Sequence, residues 1–500
     1  MGRHVLVAAV VSLALVLAPA PALAGAPSRP GGPIDAVRTF TFSPNMHPLG
    51  FSARAVPPTG TGAEIFNTDL VFSGRTAYQG TYEGFRIIDV TRPDHPVEVN
   101  NYAQCSPGTT AGNQGDLLVW HHLLIRSWNS PVSAANAATA SCGGQLVGQG
   151  FEGIHIFDVS NPRHPVLLAQ VRMAADTTPA GCGSHTATLV PDVRHDNLYV
   201  YDSASSARCP GIDVVRIPIA NPSGAEFLRE VPSGRNCHDT AVIQGTVNLV
   251  ACAGGNGFTV WSIDPSMGAS IENPVQLYSQ TIPGVTVGHS VAFTWDGEVL
   301  VFGHEPGGGA QPRCQATSSV VDRSLFFFDA RTGDPLGTFV NPRPQTALEN
   351  CTWHNYNVVP TERRHVLVSG NYQSGVSVVD FTDPADAREI AFADPAPLVN
   401  PTDPSAIELG GDWSTYWYDG RIYESDITRG LIIWRLGDRA VAGARHLDHL
   451  NPQTEETSFP SGDHERKPDR AAGAASFAAA VAGSPVLDGQ DSADLEGATR

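Results

Sequence analysis

The sequence predicts an all-β fold: a seven-bladed β-propeller of four-stranded antiparallel blades, its ring closed by an N-terminal strand. Three observations predict it. A short β-rich run closed by an Asp/Asn-Pro turn recurs seven times along the 500 residues. A hairpin pattern precedes the copies, as in Val291-Ala-Phe-Thr, a Trp-Asp-Gly turn and Glu298-Val-Leu-Val-Phe. The composition, with 50 Gly and 39 Pro, calls for many turns and few long helices.

In chain order, the first element is an address. Arg3 and His4 precede an apolar run from Val5 to Leu17, and Ala22-Leu23-Ala24 supplies small residues at a cleavage site. This is the pattern of a secretory signal peptide over 1–24, cut after Ala24, and the run is shorter than the roughly 20 residues a spanning helix needs. Residues 25–45 read as an N-terminal extension. Met46-His-Pro-Leu-Gly-Phe-Ser-Ala-Arg54 then resembles His164-Pro-Val-Leu-Leu-Ala-Gln-Val-Arg172, so a strand near 48–54 can complete the last blade and hide both sheet edges.

The propeller is expected over 46–451. Gly84-Phe-Arg-Ile-Ile-Asp-Val-Thr-Arg-Pro-Asp-His-Pro-Val97 returns as Gly153-Ile-His-Ile-Phe-Asp-Val-Ser-Asn-Pro-Arg-His-Pro-Val166, with weaker copies from Gly211, Gly257, Ser324, Gly375 and Gly430. The excess over a compact blade falls in insertions at 127–150, 202–210 and 304–323, each after a second strand. From 452 to 500 the chain is polar, then Ala-rich over Ala471–Ala482, then acidic, which predicts a disordered tail with at most a short helix.

The two strongest copies resemble the LVIVD-repeat proteins, a group of secreted bacterial proteins of propeller type. The resemblance covers roughly 64–440 and is clear in the first, second and sixth copies. It implies the fold and a secreted location far more firmly than any activity.

Aligning the hairpins on their turns puts Asp69, Asp116, His185, His238, His289, His354 and Asp412 at one repeat position, the start of each first strand. First strands line a propeller's channel, so this position becomes a ring of four consecutive His and three consecutive Asp at the channel mouth. Second strands return to the same mouth and bring Asp202, Asn256, His304, Glu305, Asn371, Glu424 and Asp426 to it. Two readings stand side by side. Asp or His at a strand start can bond backbone amides as a repeat-wide structural device. Alternatively, His185, His238, His289 and His354 form a transition-metal site for Zn, Cu or Fe, with Asp69, Asp116, Asp412, His304, Glu305 and Asp426 binding a ligand beside it.

Eight Cys in an exported chain predict disulfides. The repeat favours four sequential pairs at that mouth: Cys105 with Cys142, Cys182 with Cys209, Cys237 with Cys252, and Cys314 with Cys351. The formal charge of -19, with no basic patch, argues against nucleic acid and anionic membranes as partners. No Walker loop, nucleophile elbow, dinucleotide fingerprint or zincin helix is present, and no catalytic residue is singled out. The functional expectation is therefore a secreted propeller that binds a small molecule, a metal, or an extracellular or cell-envelope protein. A metal-dependent oxidoreductase or hydrolase with an all-His site is the alternative in one direction, and a cell-surface adhesion protein in the other.

Overall fold

The computed structural model describes residues 33–54, 66–108, 113–129, 131–173, 184–204, 209–460 and 469–484. The expected signal peptide, residues 25–32 of the extension, Cys182 and the final residues 485–500 lie outside the described residues.

The expected repeats fold as antiparallel meanders, some widened by a further strand and the last two joined in one nine-stranded sheet. Asn67–Ser73, Thr76–Thr81, Gly84–Asp89 and Val97–Tyr102 pair in sequence, and the same meander recurs after first strands beginning at Leu117, Thr186, Thr240, Gly288 and Asn355. The last sheet contains Asp412–Tyr418, Arg421–Asp426 and Gly430–Leu436, and its fourth strand is Met46–Ala53, antiparallel to Gly430–Leu436. The repeat's Gly has a steric cause. A Cβ at Gly84 would stand 1.8 Å from Tyr102 O, and one at Gly153 1.9 Å from Val171 O, so the third strand can start there only without a side chain. A register shift between third and fourth strands follows at matching positions, such as Ile87/Ile88 and Ile156/Phe157.

Apolar residues on both faces of each sheet pack against the next sheet. Phe85 and Ile87 of the first sheet share a cluster with Leu117 and Phe157 of the second. Leu118 joins Leu189, Val190 joins Val242, Phe258 joins Phe302, Phe327 joins Leu367, and Val368 joins Trp417. The series returns to its start, because Tyr416 and Leu431 of the last sheet pack on Leu70 and Phe72 of the first. The arrangement is that of a β-propeller.

The region after 451 departs from the expected tail. Residues 445–459 run around the far ends of the first strands, opposite the strand starts. Arg445 N donates to Pro360 O, Tyr418 Oη donates to Asp448 O, and His449–Leu450 pairs with Phe72–Ser73. Asn451 bonds Val119, Thr454 Oγ1 donates to Leu189 O, Thr454–Glu455 lies parallel to Val242–Ile243, and Phe459 stacks on Trp295 at 5.0 Å. One strap thus touches every sheet in ring order. Further on, helix Arg470–Val481 starts at Asp469, whose carboxylate accepts from Ala471 N and Ala472 N. It sets Phe477 against Phe326 and Phe328. Low-complexity composition hid these segments, because their partners are distant in sequence.

Candidate metal centre

The strand starts bring the four His together as one arc. The His185 and His238 ring centroids lie 4.6 Å apart, His238 and His289 3.9 Å, and His289 and His354 4.6 Å. Propeller geometry produces this contact, because the same residue of adjacent sheets points at one channel. His289 and His354 are 2% exposed, so no bulk water separates the rings.

Every ring has its Nδ1 held by an oxygen. His185 Nδ1 lies 2.8 Å from Asn129 Oδ1 and His238 Nδ1 2.9 Å from Asp239 Oδ1. His354 Nδ1 meets Trp413 O, a carbonyl that can only accept. His289 Nδ1 meets Ser290 Oγ, whose own proton goes to His354 O. Each Nδ1 therefore carries its hydrogen, and the four Nε2 atoms keep their lone pairs.

Burial also keeps these imidazoles neutral. It pushes His238 and His354 down to about 3, and it holds His185 and His289 well below the usual range, helped by neighbouring imidazoles. Glu305 faces the arc with Oε2 3.6 Å from His289 Nε2 and Oε1 3.7 Å from His354 Nε2. Burial raises Glu305 to about 8 and Asp239 to about 7. His238, Asp239 and His289 form one group able to hold a metal ion, and His289, Glu305 and His354 form another.

The three Asp of the ring lie apart from this arc. Asp69 accepts from Tyr416 Oη at 2.6 Å and bonds Asp116, whose Oδ2 accepts from Ala187 N at 2.9 Å. Burial raises both carboxyls, Asp116 the more because Asp69 is beside it. Asp412 abuts Glu424, and burial with that neighbour pushes Asp412 well up. Asp412 and Glu424 share a hydrogen bond, so this buried carboxyl pair holds a proton between its members. Asp426 accepts from Thr428 N, Arg429 N and the Arg429 guanidinium, and with Asp412 and Glu424 it forms a third group able to hold a metal ion. His304 turns away, with Nε2 3.2 Å from Thr286 N. The structural reading thus accounts in part for Asp116 and Asp426, while the His arc exceeds it.

Disulfides join Cys105 to Cys142, Cys237 to Cys252, and Cys314 to Cys351, as the repeat predicts. The fourth pairing involves Cys182, outside the described residues. Sequence reasoning passed over Asp239, Ser290, Asn129 and Tyr372. The His238-Asp239 and His289-Ser290 dipeptides carried a signal, since each polar neighbour follows a ring position. Asn129 and Tyr372 sit in an insertion and a turn, where no repeat register exists.

The fold agrees with one sequence match. Residues 147–172 match the LVIVD repeat. That stretch spans the strands Gly153–Asp158 and Val166–Arg172 with the Pro-containing turn between them. No curated protein matches the chain. Among solved structures, it is similar to a chain of the mitotic checkpoint complex, at 11% identity and TM-score 0.43, over 85% of this chain and 99% of that one. It is also similar to the Cps50 (Swd1) β-propeller domain of Myceliophteria thermophila, at 12% identity and TM-score 0.42, over 77% and 100%. The computationally designed Ika8 protein gives 10% identity and TM-score 0.40 over 74% and 96%.

Proposed function

We propose that this chain is an exported propeller of seven blades, closed by Met46–Ala53, that binds a transition metal ion through His238, His289, His354 and Glu305, with His185 at the end of the arc. The observation that carries the reading is the set of four Nδ1 acceptors. Metal-bound His characteristically donates its other ring N–H to a carboxylate or backbone carbonyl, and here Asp239 and Trp413 O serve that role. The Nε2 lone pairs of His289 and His354 both face Glu305, and a cation seated there would relieve their mutual repulsion. The spacing supports this: ligands about 2.05 Å from a tetrahedral ion stand about 3.3 Å apart. The 3.6 Å separation of His289 Nε2 and Glu305 Oε2 needs only a few tenths of an ångström to close.

Imidazole-rich donor sets suit Zn, Cu or Fe over Mg or Ca. Disulfides and the Val5–Leu17 leader pattern favour export to an oxidising compartment. Neither DNA, RNA nor a membrane span enters this reading. Among the described residues, no helix is long and apolar enough to cross a membrane.

Elemental analysis of untagged protein tests the proposal. Close to one equivalent of a transition metal is expected, falling to trace level in His289→Ala with the circular dichroism spectrum kept. Less than a tenth of an equivalent in both proteins, with none taken up on dialysis against zinc, cobalt or copper, refutes it. Catalytic use of the ion is a second reading, favoured by the Asp69–Asp116 and Asp412–Glu424 carboxyl pairs on the same ring. It requires an open coordination position, which azide would reveal by shifting the absorption of the cobalt form; an unchanged spectrum counts against it.

A further inference from the structure

We infer that Tyr372 is the positioning residue of this centre, holding Glu305 by Oε1 so that Oε2 alone is presented to the metal. The inference rests on the metal-site reading above and adds a residue that lies outside the ligand set. Tyr372 Oη donates to Glu305 Oε1 at 2.7 Å, and its ring lies 4.3 Å from that of His354. A phenol has one proton to give, and this one is spent on the carboxylate oxygen nearer His354. The other oxygen, nearer His289, is left to coordinate.

The backbone shows that the position is enforced. Tyr372 has φ 51°, a left-handed conformation that a bulky residue adopts at a cost of roughly 1–3 kcal/mol and only where its surroundings impose it. Three groups do so. The Tyr372 and Asp412 backbones exchange two N–H···O bonds of 3.0 Å, which tie the turn to the next sheet. Gly375 N donates to Tyr372 O at 3.0 Å and closes the turn. Gly309 abuts the phenol ring so closely that a Cβ there would lie 2.3 Å from Tyr372 Oη. Gly309 belongs to the insertion that Cys314–Cys351 pins at the mouth, and Asn350 Nδ2 holds its carbonyl at 2.8 Å. Through Asn350 and Gly309, the Cys314–Cys351 disulfide thus links the insertion to Tyr372.

The test uses the full mature chain loaded with cobalt(II), comparing the parent with Tyr372→Phe, Glu305→Gln and the double variant. Phe keeps the ring against His354 and removes only the hydroxyl. Tyr372→Phe is expected to weaken cobalt binding about 10- to 100-fold and to shift the visible d–d bands, as loss of an outer-shell hydrogen bond does. In the Glu305→Gln background the same change should cost less than about twofold, because the group it positions is already gone. Parent affinity and spectrum in Tyr372→Phe, or an equal loss in both backgrounds, overturn the inference while the metal site stands. Absence of cobalt binding by the parent, or full binding by His289→Ala, overturns the underlying site itself.

Discussion

Asn451 offers a quantitative test of the C-terminal strap. Its Oδ1 accepts from Val119 N at 2.8 Å and its Nδ2 donates to Val119 O at 2.9 Å, so one side chain saturates both backbone groups of a strand residue. Asn451 is 1% exposed and Val119 fully buried, so water cannot take over either bond without local opening. Truncation in Asn451→Ala leaves a buried N–H and a buried C=O unpaired, each worth about 1–3 kcal/mol, for a total of about 2–6 kcal/mol. Asn451→Asp provides a second probe, since a carboxylate can still accept from Val119 N but cannot donate to Val119 O. Burying its charge against Val119 O should make its loss at least as large as that of Ala at neutral pH. The assay is urea unfolding followed by Trp fluorescence, with metal-free protein so that ion binding does not add to stability. A change within about 0.5 kcal/mol of the parent for Asn451→Ala, the range of an ordinary surface substitution, at unchanged m-value would refute the strap as part of the folded ring.

The remaining predictions follow the same geometry. Replacing Cys237 and Cys252 together by Ala opens a 15-residue loop and should cost about 3 kcal/mol, read as a lower urea midpoint. Ser290→Ala removes the acceptor for His289 Nδ1 and should weaken zinc binding about 10- to 100-fold in a chelator competition; an unchanged Kd would show that Nδ1 needs no such anchor. Burial raises Asp213 to about 8, with Glu230 and Glu152 adding to the effect. The folded state thus favours the protonated acid, so its stability penalty grows from about pH 4, where the unfolded chain ionises, and levels off near pH 8. Metal-free protein should accordingly lose stability across that window, at a slope of up to about 1.4 kcal/mol for each pH unit. Asp213→Asn should flatten part of the slope, and an identical slope in the variant would place the effect elsewhere.

The ring position was legible because repetition makes it so: the same hairpin length before Asp296-Gly297 and Asp419-Gly420 sets His289 and Asp412 in one frame. The Cys237–Cys252 bond was legible from the hairpin they flank, although Cys237 lies before the strand and Thr240 stands opposite Cys252. Roles at the ring position were less legible. Asp69, Asp116 and Asp412 share the register of the four His, yet only the His arc lines up ring against ring, while the Asp residues meet other carboxyls. Residue type at a strand start specifies a donor or acceptor, and the neighbouring sheet chooses its partner.

Local periodicity encodes the strand meander, its Pro-containing turns, a strand near 48–54 that is observed as Met46–Ala53, and the first-strand starts to within two residues. Tertiary structure alone decided the rest. The strap depends on pairs such as Asn451 with Val119, 332 residues apart, and no local pattern marks them. Tyr372 reaches Glu305 across 67 residues through a left-handed turn that a disulfide-pinned insertion enforces. Strand patterning comes from burial alternating along a few residues, whereas the His arc exists only once four successive sheets have packed side by side.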